Sequence, residues 1–144
     1  MHEVKMDRDV EFFVTPGAGE KLFGLLHYSQ AVRIGNRVEI SGQGGWDADL
    51  NVAESLEEEI VTAFDNVERT LATAGATWRD VVHVNSYHVL PAPELTYNAH
   101  NDVMTAQFRA RLGDRAPIWT QTGVTALGLP EMRVEIRVTA IVDS

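Results

Sequence analysis

Near the C-terminus, apolar and polar residues alternate one for one: Val134, Ile136, Val138, Ala140 and Val142 are separated by Glu135, Arg137 and Thr139. A period of two puts the two sets on opposite faces of a strand, so the pattern predicts a strand from about Arg133 to Val142 with one face buried. A different period governs residues 56 to 71. Leu56, Ile60, Phe64, Val67 and Leu71 recur at steps of four, four, three and four, which is the apolar stripe of an amphipathic helix. Ser55-Leu56-Glu57-Glu58 in front of it matches the capping box, where serine and glutamate each satisfy an unpaired N–H of the first turn. Glu57, Glu58 and Glu59 favour the positive end of the helix dipole and read as a solvated helix start. Gly75 is the natural stop.

The remaining elements follow from similar signals. Phe12 to Thr15, before Pro16, predicts a short first strand, and the glycines after it (Gly17, Gly19, Gly24) read as a loop. Ser29 to Gly42 predicts a β-hairpin turning at Gly35-Asn36. A three-residue loop over Gly35 to Arg37 pairs Ile34 with Val38, Arg33 with Glu39 and Val32 with Ile40, so that apolar meets apolar and cation meets anion. A two-residue loop sets Ile34 against Arg37, and the longer loop is the one expected. Val81 to Leu90 is a β-branched strand halted by Pro91 and Pro93. A second helix is expected from about Leu95 to Leu112, with Leu95, Ala99, Val103, Ala106 and Ala110 along one side and Gly113 at its end. Another strand falls near Ile118 to Ala126. The order is β-β-β-α-β-α-β-β, an α+β fold in which the helices bury their stripes on one face of a mixed six-stranded sheet. The other face carries Glu135, Arg137 and Gln121 beside apolar groups, a composition suited to subunit contact.

Composition narrows the functional classes. The chain has 144 residues, 44% hydrophobic and 23% charged, as expected of one globular domain over 1–144. Having no cysteine, it excludes disulfides, thiolate nucleophiles and cysteine zinc sites. Twelve Lys and Arg against twenty-one Asp and Glu give a net charge of −9. Nucleic acid demands clustered cations, and the densest group, Arg109, Arg111 and Arg115, lies in an acidic surround, so no nucleic-acid partner is expected. The start Met1-His2-Glu3-Val4-Lys5 lacks a signal-peptide core, and the apolar runs are too short for a bilayer; a cytoplasmic location without membrane attachment is expected. Gly42-Gln43-Gly44-Gly45 lacks the spacing and lysine of a phosphate loop. The histidines (His2, His27, His83, His88, His100) have no metal-binding spacing, and His83 and His88 point to opposite faces of one predicted strand. No Gly-x-Ser-x-Gly elbow is present. No metal is expected.

Three segments in register resemble the Rid (reactive intermediate deaminase, YjgF-like) family. They are His27-Tyr28-Ser29-Gln30-Ala31-Val32 running to Ile40-Ser41-Gly42-Gln43, then Thr70 to Gly75 followed by Trp78-Arg79-Asp80-Val81-Val82, and last Gly123-Val124-Thr125-Ala126-Leu127 with Leu129-Pro130 and Val134-Glu135-Ile136. The resemblance implies a chorismate-mutase-like (bacillus type) fold and a homotrimer with small-molecule clefts between subunits. It also implies cofactor-independent deaminase chemistry, the hydrolysis of enamines and imines to 2-keto acids and ammonium. Carried across by position, Glu135 matches the glutamate that positions or activates water, and Tyr28 the tyrosine of the cleft; these are the candidate catalytic residues. Ser41 matches the serine of Ser-Gly-Gln and Asn101 an asparagine of the second helix; both are candidate substrate-binding residues.

One departure stands out. Active members carry an arginine at the start of the fifth strand that grips the substrate carboxylate, and counting back from Gly123-Val124 that position is Trp119. An indole cannot replace a bidentate guanidinium, and losing one partner of such a pair costs about 2–5 kcal/mol. Trp119 is therefore expected to line a cleft for flatter or less charged ligands. Arg137 stands where the family often has a second acidic residue, either rescuing anion binding or neutralising Glu135. The expected function is a deaminase-type hydrolase for an imine, enamine or related intermediate other than the usual 2-imino acid. A non-catalytic binding or structural trimer is the alternative, and net charge argues against an endoribonuclease or translation inhibitor.

Overall fold

The computed structural model of the chain describes residues 3–6, 9–91 and 96–143. The elements in chain order are β1 (Glu3–Met6), β2 (Val10–Phe13), α1 (Ala18–Leu26), β3 (Ala31–Ile34), β4 (Arg37–Ile40), α2 (Leu56–Thr73), β5 (Val81–His88), α3 (Asn98–Leu112), β6 (Ile118–Gly123) and β7 (Val134–Ile141). The strands form one mixed sheet in the order β1-β2-β3-β4-β7-β5-β6. Only β5 and β6 run parallel; the other pairs are antiparallel. All six expected strands are present, and β1 adds a seventh at the edge beside β2.

The two main helices lie on one face of the sheet. In α2 the stripe Ile60, Phe64, Val67 and Leu71 is fully buried, and Ser55 Oγ accepts from Glu58 N at 3.0 Å as the N-cap. Gly75 ends the helix with φ of 85°. Beneath it β7 presents Val134, Ile136, Val138 and Ala140, all buried, as the alternation requires. Phe64 stacks on Trp78 with ring centroids 4.9 Å apart and meets Phe108 of α3 edge-on at 5.5 Å.

Four expectations are corrected. The hairpin turns through two residues, pairing Ile34 with Arg37, Arg33 with Val38, Val32 with Glu39 and Ala31 with Ile40. Gly35 has φ of 59°, the positive value that a tight hairpin requires at its first central residue. The charges are satisfied elsewhere: Arg33 lies opposite Glu11 of β2 and donates to Ala74 O at the end of α2, while Glu39 pairs with Arg37 and Arg137. The glycine-containing segment 18–26 is a helix, not a loop. Gly19 lies within it because a β-carbon there would overlap the side chains of Thr15 and Gln30, and Leu22 anchors it against Trp46 and Met132. In α3 the buried face is His100, Met104 and Leu112, with Val103 and Phe108 packed alongside. Ala99, Ala106 and Ala110 are exposed, and Leu95 falls outside the described residues.

Glu59 is the fourth correction. It is fully buried, and its carboxylate accepts from Arg133 N at 2.6 Å, Arg133 Nε at 2.6 Å and Val134 N at 3.2 Å. A buried carboxylate is tolerated when paired and hydrogen-bonded in this way. The contact ties the first turn of α2 to the start of β7. Among the described residues no helix is long and apolar enough to cross a membrane.

Candidate functional site

Glu135 and Arg137 point away from the helices, since their neighbours Val134, Ile136 and Val138 are buried under α2. The loop after β4 brings the next residues to Glu135. Gln43 and Ile136 exchange backbone hydrogen bonds of 2.8 and 2.9 Å, and Asn66 of α2 holds the loop by donating to Gly44 O and Trp46 O. This draws Gly42 so close to the Glu135 carboxylate that a β-carbon would overlap it. The carboxyl is thereby desolvated, and burial pushes its pKa above the usual glutamate range. Tyr28 is near enough to feel it: burial, and then the charge of Glu135, push the phenol's pKa up, so it remains a protonated donor. Ser41 Oγ donates to Gln30 O at 3.3 Å and lines a shallow cavity of about 280 Å³ with Phe12, Val32 and Glu39.

Arg137 joins this face but is committed. Its guanidinium donates to Asn85 Oδ1 at 2.9 Å, to Thr139 Oγ1 at 3.4 Å and to Glu39. Burial disfavours the charged form of Glu39, but bonds from Thr139 and Arg37 and the charges of Arg137 and Arg37 outweigh it, holding the carboxyl below its ordinary value. Arg137 thus neutralises Glu39 rather than Glu135.

Trp119 and Asn101 lie in a different place. Trp119 pairs in register with Val84, and Gln121 with Ser86, so both share the helix-side face with buried Val84, Ser86 and His88. That corrects the expected position of Gln121 on the opposite face. Trp119 packs edge-on against Phe108 with centroids 5.1 Å apart, and its Nε1 donates to Ser86 Oγ at 2.9 Å. Ser86 Oγ lies 2.7 Å from His88 Nε2, and His88 Nδ1 lies 2.8 Å from His100 Nδ1. Gln121 Nε2 donates to Asn101 Oδ1 at 2.7 Å and approaches His88 Nε2 at 3.3 Å. His88 and His100 are almost completely buried. Burial first, and His100 second, lower the His88 pKa to about 4; burial and Arg133 lower that of His100. Both rings are neutral near pH 7.

The six candidates therefore form two groups on opposite faces of one sheet. Tyr28, Ser41, Glu135 and Arg137 share one face, while Trp119 and Asn101 join a histidine-centred network on the other. The sequence reading missed Gly42, Glu59, Ser86, Gln121 and the His88–His100 contact. Its observation that His83 and His88 face opposite ways holds, and this was the available signal that His88 enters the core. Among the described residues no cluster of three or more metal-ligating groups occurs. A cavity of about 750 Å³ lies between α1, α2 and the loop 43–48, behind Gln43 rather than beside Glu135.

A family model described as endoribonuclease L-PSP matches residues 20–142. The RutC family protein YjgH of Escherichia coli (strain K12) is 32% identical over 123 residues, spanning 85% of this chain and 90% of that protein. The 2-iminobutanoate/2-iminopropanoate deaminase of Dermatophagoides farinae is 33% identical over 119 residues, spanning 81% and 86%. Among solved structures, protein YJGH superposes with a TM-score of 0.75 at 33% identity, covering 92% of this chain and 98% of that one. A member of the highly conserved YjgF/YER057c/UK114 family from Mycobacterium tuberculosis gives a TM-score of 0.71 at 28% identity, covering 90% and 98%. The fold is the chorismate-mutase-like one that these neighbours share, and the chain belongs to the endoribonuclease L-PSP family, also called YjgF or Rid.

Proposed function

We propose that this chain is a cofactor-independent hydrolase of reactive imines or enamines, working in the cytoplasm as a homotrimer. The observation that carries the reading is the desolvated Glu135 carboxyl, walled in by Gly42 and near enough to the Tyr28 phenol to raise its pKa. The mite relative named as an imine deaminase supports the reaction class.

The chemistry asks for a base whose pKa approaches the working pH. The Glu135 carboxylate takes a proton from water as the oxygen bonds to the imine carbon. The C=N π electrons move onto nitrogen, which takes that proton back from Glu135, giving a carbinolamine. Glu135 then accepts the carbinolamine hydroxyl proton and passes it to nitrogen, the C–N bond breaks as the C=O bond forms, and a carbonyl compound and ammonia leave. Tyr28, a protonated donor, orients the water or the imine nitrogen.

Two features support a cleft shared between subunits. The Glu135 group and the Trp119–Asn101 group face opposite ways, so one chain cannot close a pocket with both. The face bearing Glu135 also carries Ile34, Ile118 and Ile141, exposed by 45%, 66% and 42%, an apolar content suited to burial by a neighbour.

The test is to follow decay of generated 2-aminoacrylate and related imines, with semicarbazone trapping and ammonium release as readouts. Turnover by the native chain, lost in Glu135→Gln, is the expected result; no turnover with any imine tried overturns the reading. A ligand-binding trimer without chemistry is the second reading. It is favoured by Trp119 in place of the arginine and by the commitment of Arg137 to Glu39. Net charge of −9 disfavours RNA as a substrate.

A further inference from the structure

Two polar atoms at the open end of the histidine network are left unused by everything described so far. The network has a direction. The indole N–H of Trp119 can only donate, so Ser86 Oγ accepts it and directs its own hydrogen to His88 Nε2. His88 is then protonated at Nδ1 and donates to His100 Nδ1. Gln121 Nε2 approaches the same unprotonated His88 Nε2 at 3.3 Å and donates to Asn101 Oδ1. The Gln121 NH2 group is thus turned inward. Gln121 Oε1 and Asn101 Nδ2 make no hydrogen bond among the described residues, and neither is a buried unpartnered atom, so both reach solvent.

From this we infer that Asn101 and Gln121 form a recognition pair for a neutral amide-type group, a carboxamide, ureido group or lactam edge, in the substrate. Asn101 Nδ2 donates to the carbonyl oxygen of such a group, while Gln121 Oε1 accepts its N–H. A carboxylate offers two acceptors and no donor, so it leaves Gln121 Oε1 facing another oxygen. His88 is the positioning residue: neutral and held by His100, it keeps the Gln121 amide from turning over. The electrostatics agree. Among the described arginines near either group, Arg137 is engaged by Glu39 and Arg133 by Glu59. The inference deepens the proposed hydrolase reading by naming the part of the substrate that is recognised, and in that form it rests on that reading.

The test uses two unreactive, product-shaped probes, 2-oxobutanamide and 2-oxobutanoate, titrated calorimetrically into the intact assembly. The amide is expected to bind more tightly by about tenfold or more, the worth of one well-made hydrogen bond against one unmatched polar atom. Asn101→Ala and Gln121→Leu should each erase that preference. Equal binding, carboxylate preference, no binding of either probe, or a preference that survives both substitutions overturns the inference. Because His88→Phe removes the ring nitrogen that opposes a flipped Gln121 amide, it should shrink the preference even where overall affinity for the two probes together is kept. An unchanged preference in folded His88→Phe refutes the positioning role. The imine assay separates this idea from the parent one. Amide-selective binding without turnover leaves the pair and removes the hydrolase; turnover that favours carboxylate imines does the reverse.

Discussion

The two faces of the sheet solve opposite electrostatic problems. On the Glu135 face an ionisable group is desolvated while its ordinary partner on the same strand, Arg137, is diverted to Glu39, leaving the acid strained toward neutrality. On the Trp119 face every buried side-chain nitrogen and oxygen among the described residues has a partner, and burial favours the neutral form of both imidazoles. One face is arranged to change its protonation state and the other to resist doing so. In the proposed reading, that contrast separates a group that transfers protons from one that recognises the substrate.

The contrast can be broken most forcefully at Glu135. Glu135→Gln should lower kcat/KM by roughly a hundredfold to ten-thousandfold, the range of general acid–base catalysis, whereas Asn101→Ala should move substrate preference and leave kcat within about tenfold. Next comes the anchor shared by both faces. Glu59→Ala leaves Arg133 and two backbone N–H groups without their buried acceptor and should cost about 3–5 kcal/mol in urea unfolding. Gly42→Ala is a subtler probe of the first face. The added methyl must push the carboxyl aside, and about tenfold to a hundredfold loss of activity is expected, with the melting temperature falling by only a few degrees, about 1 kcal/mol in such a domain.

Titration gives the smallest and most selective effects. With its pKa raised by burial, Glu135 should lose base activity as pH falls through a value above the ordinary glutamate range, seen as an acidic limb in the pH profile of kcat/KM. Its stability term has the matching sign. Stability is fully present below the ordinary pKa and is lost as pH rises through the raised one, so Glu135→Gln should be slightly more stable than the native chain at neutral pH. His88 runs the other way. Its pKa is lowered from 6.5 to about 4, so its contribution is present above the unfolded value and fades as pH falls through the folded one. Imidazole NMR shifts of His88 should therefore stay those of a neutral ring at pH 5, while an exposed histidine titrates.

Much of the fold was legible because burial repeats at the period of the element. The α2 stripe and the alternation of β7 fix which residues face the core, and the capping serine fixes where α2 begins. Two of the misreadings share one cause, a polar residue that is buried because a distant residue satisfies it. Glu59 looks like a solvated first-turn acid until Arg133 is brought against it. His100 looks like a break in an alanine face until His88 meets it. The hairpin register failed for a related reason: Arg33 and Glu39 are complementary to each other, but each strand has a second neighbour that offers a better partner. Gln121 was assigned to the right strand, yet the face on which a strand residue lies depends on registry with β5, which no local pattern supplies.

The sheet ends at β6, whose outer edge no other strand among the described residues covers. This is the strand that carries Trp119 and Gln121, and its Ile118 is largely exposed. An open edge with an apolar residue on it is a template for unwanted pairing. A freshly made chain with that edge uncovered is thus prone to pair with its copies, and the yield of folded protein should fall as the concentration during synthesis rises.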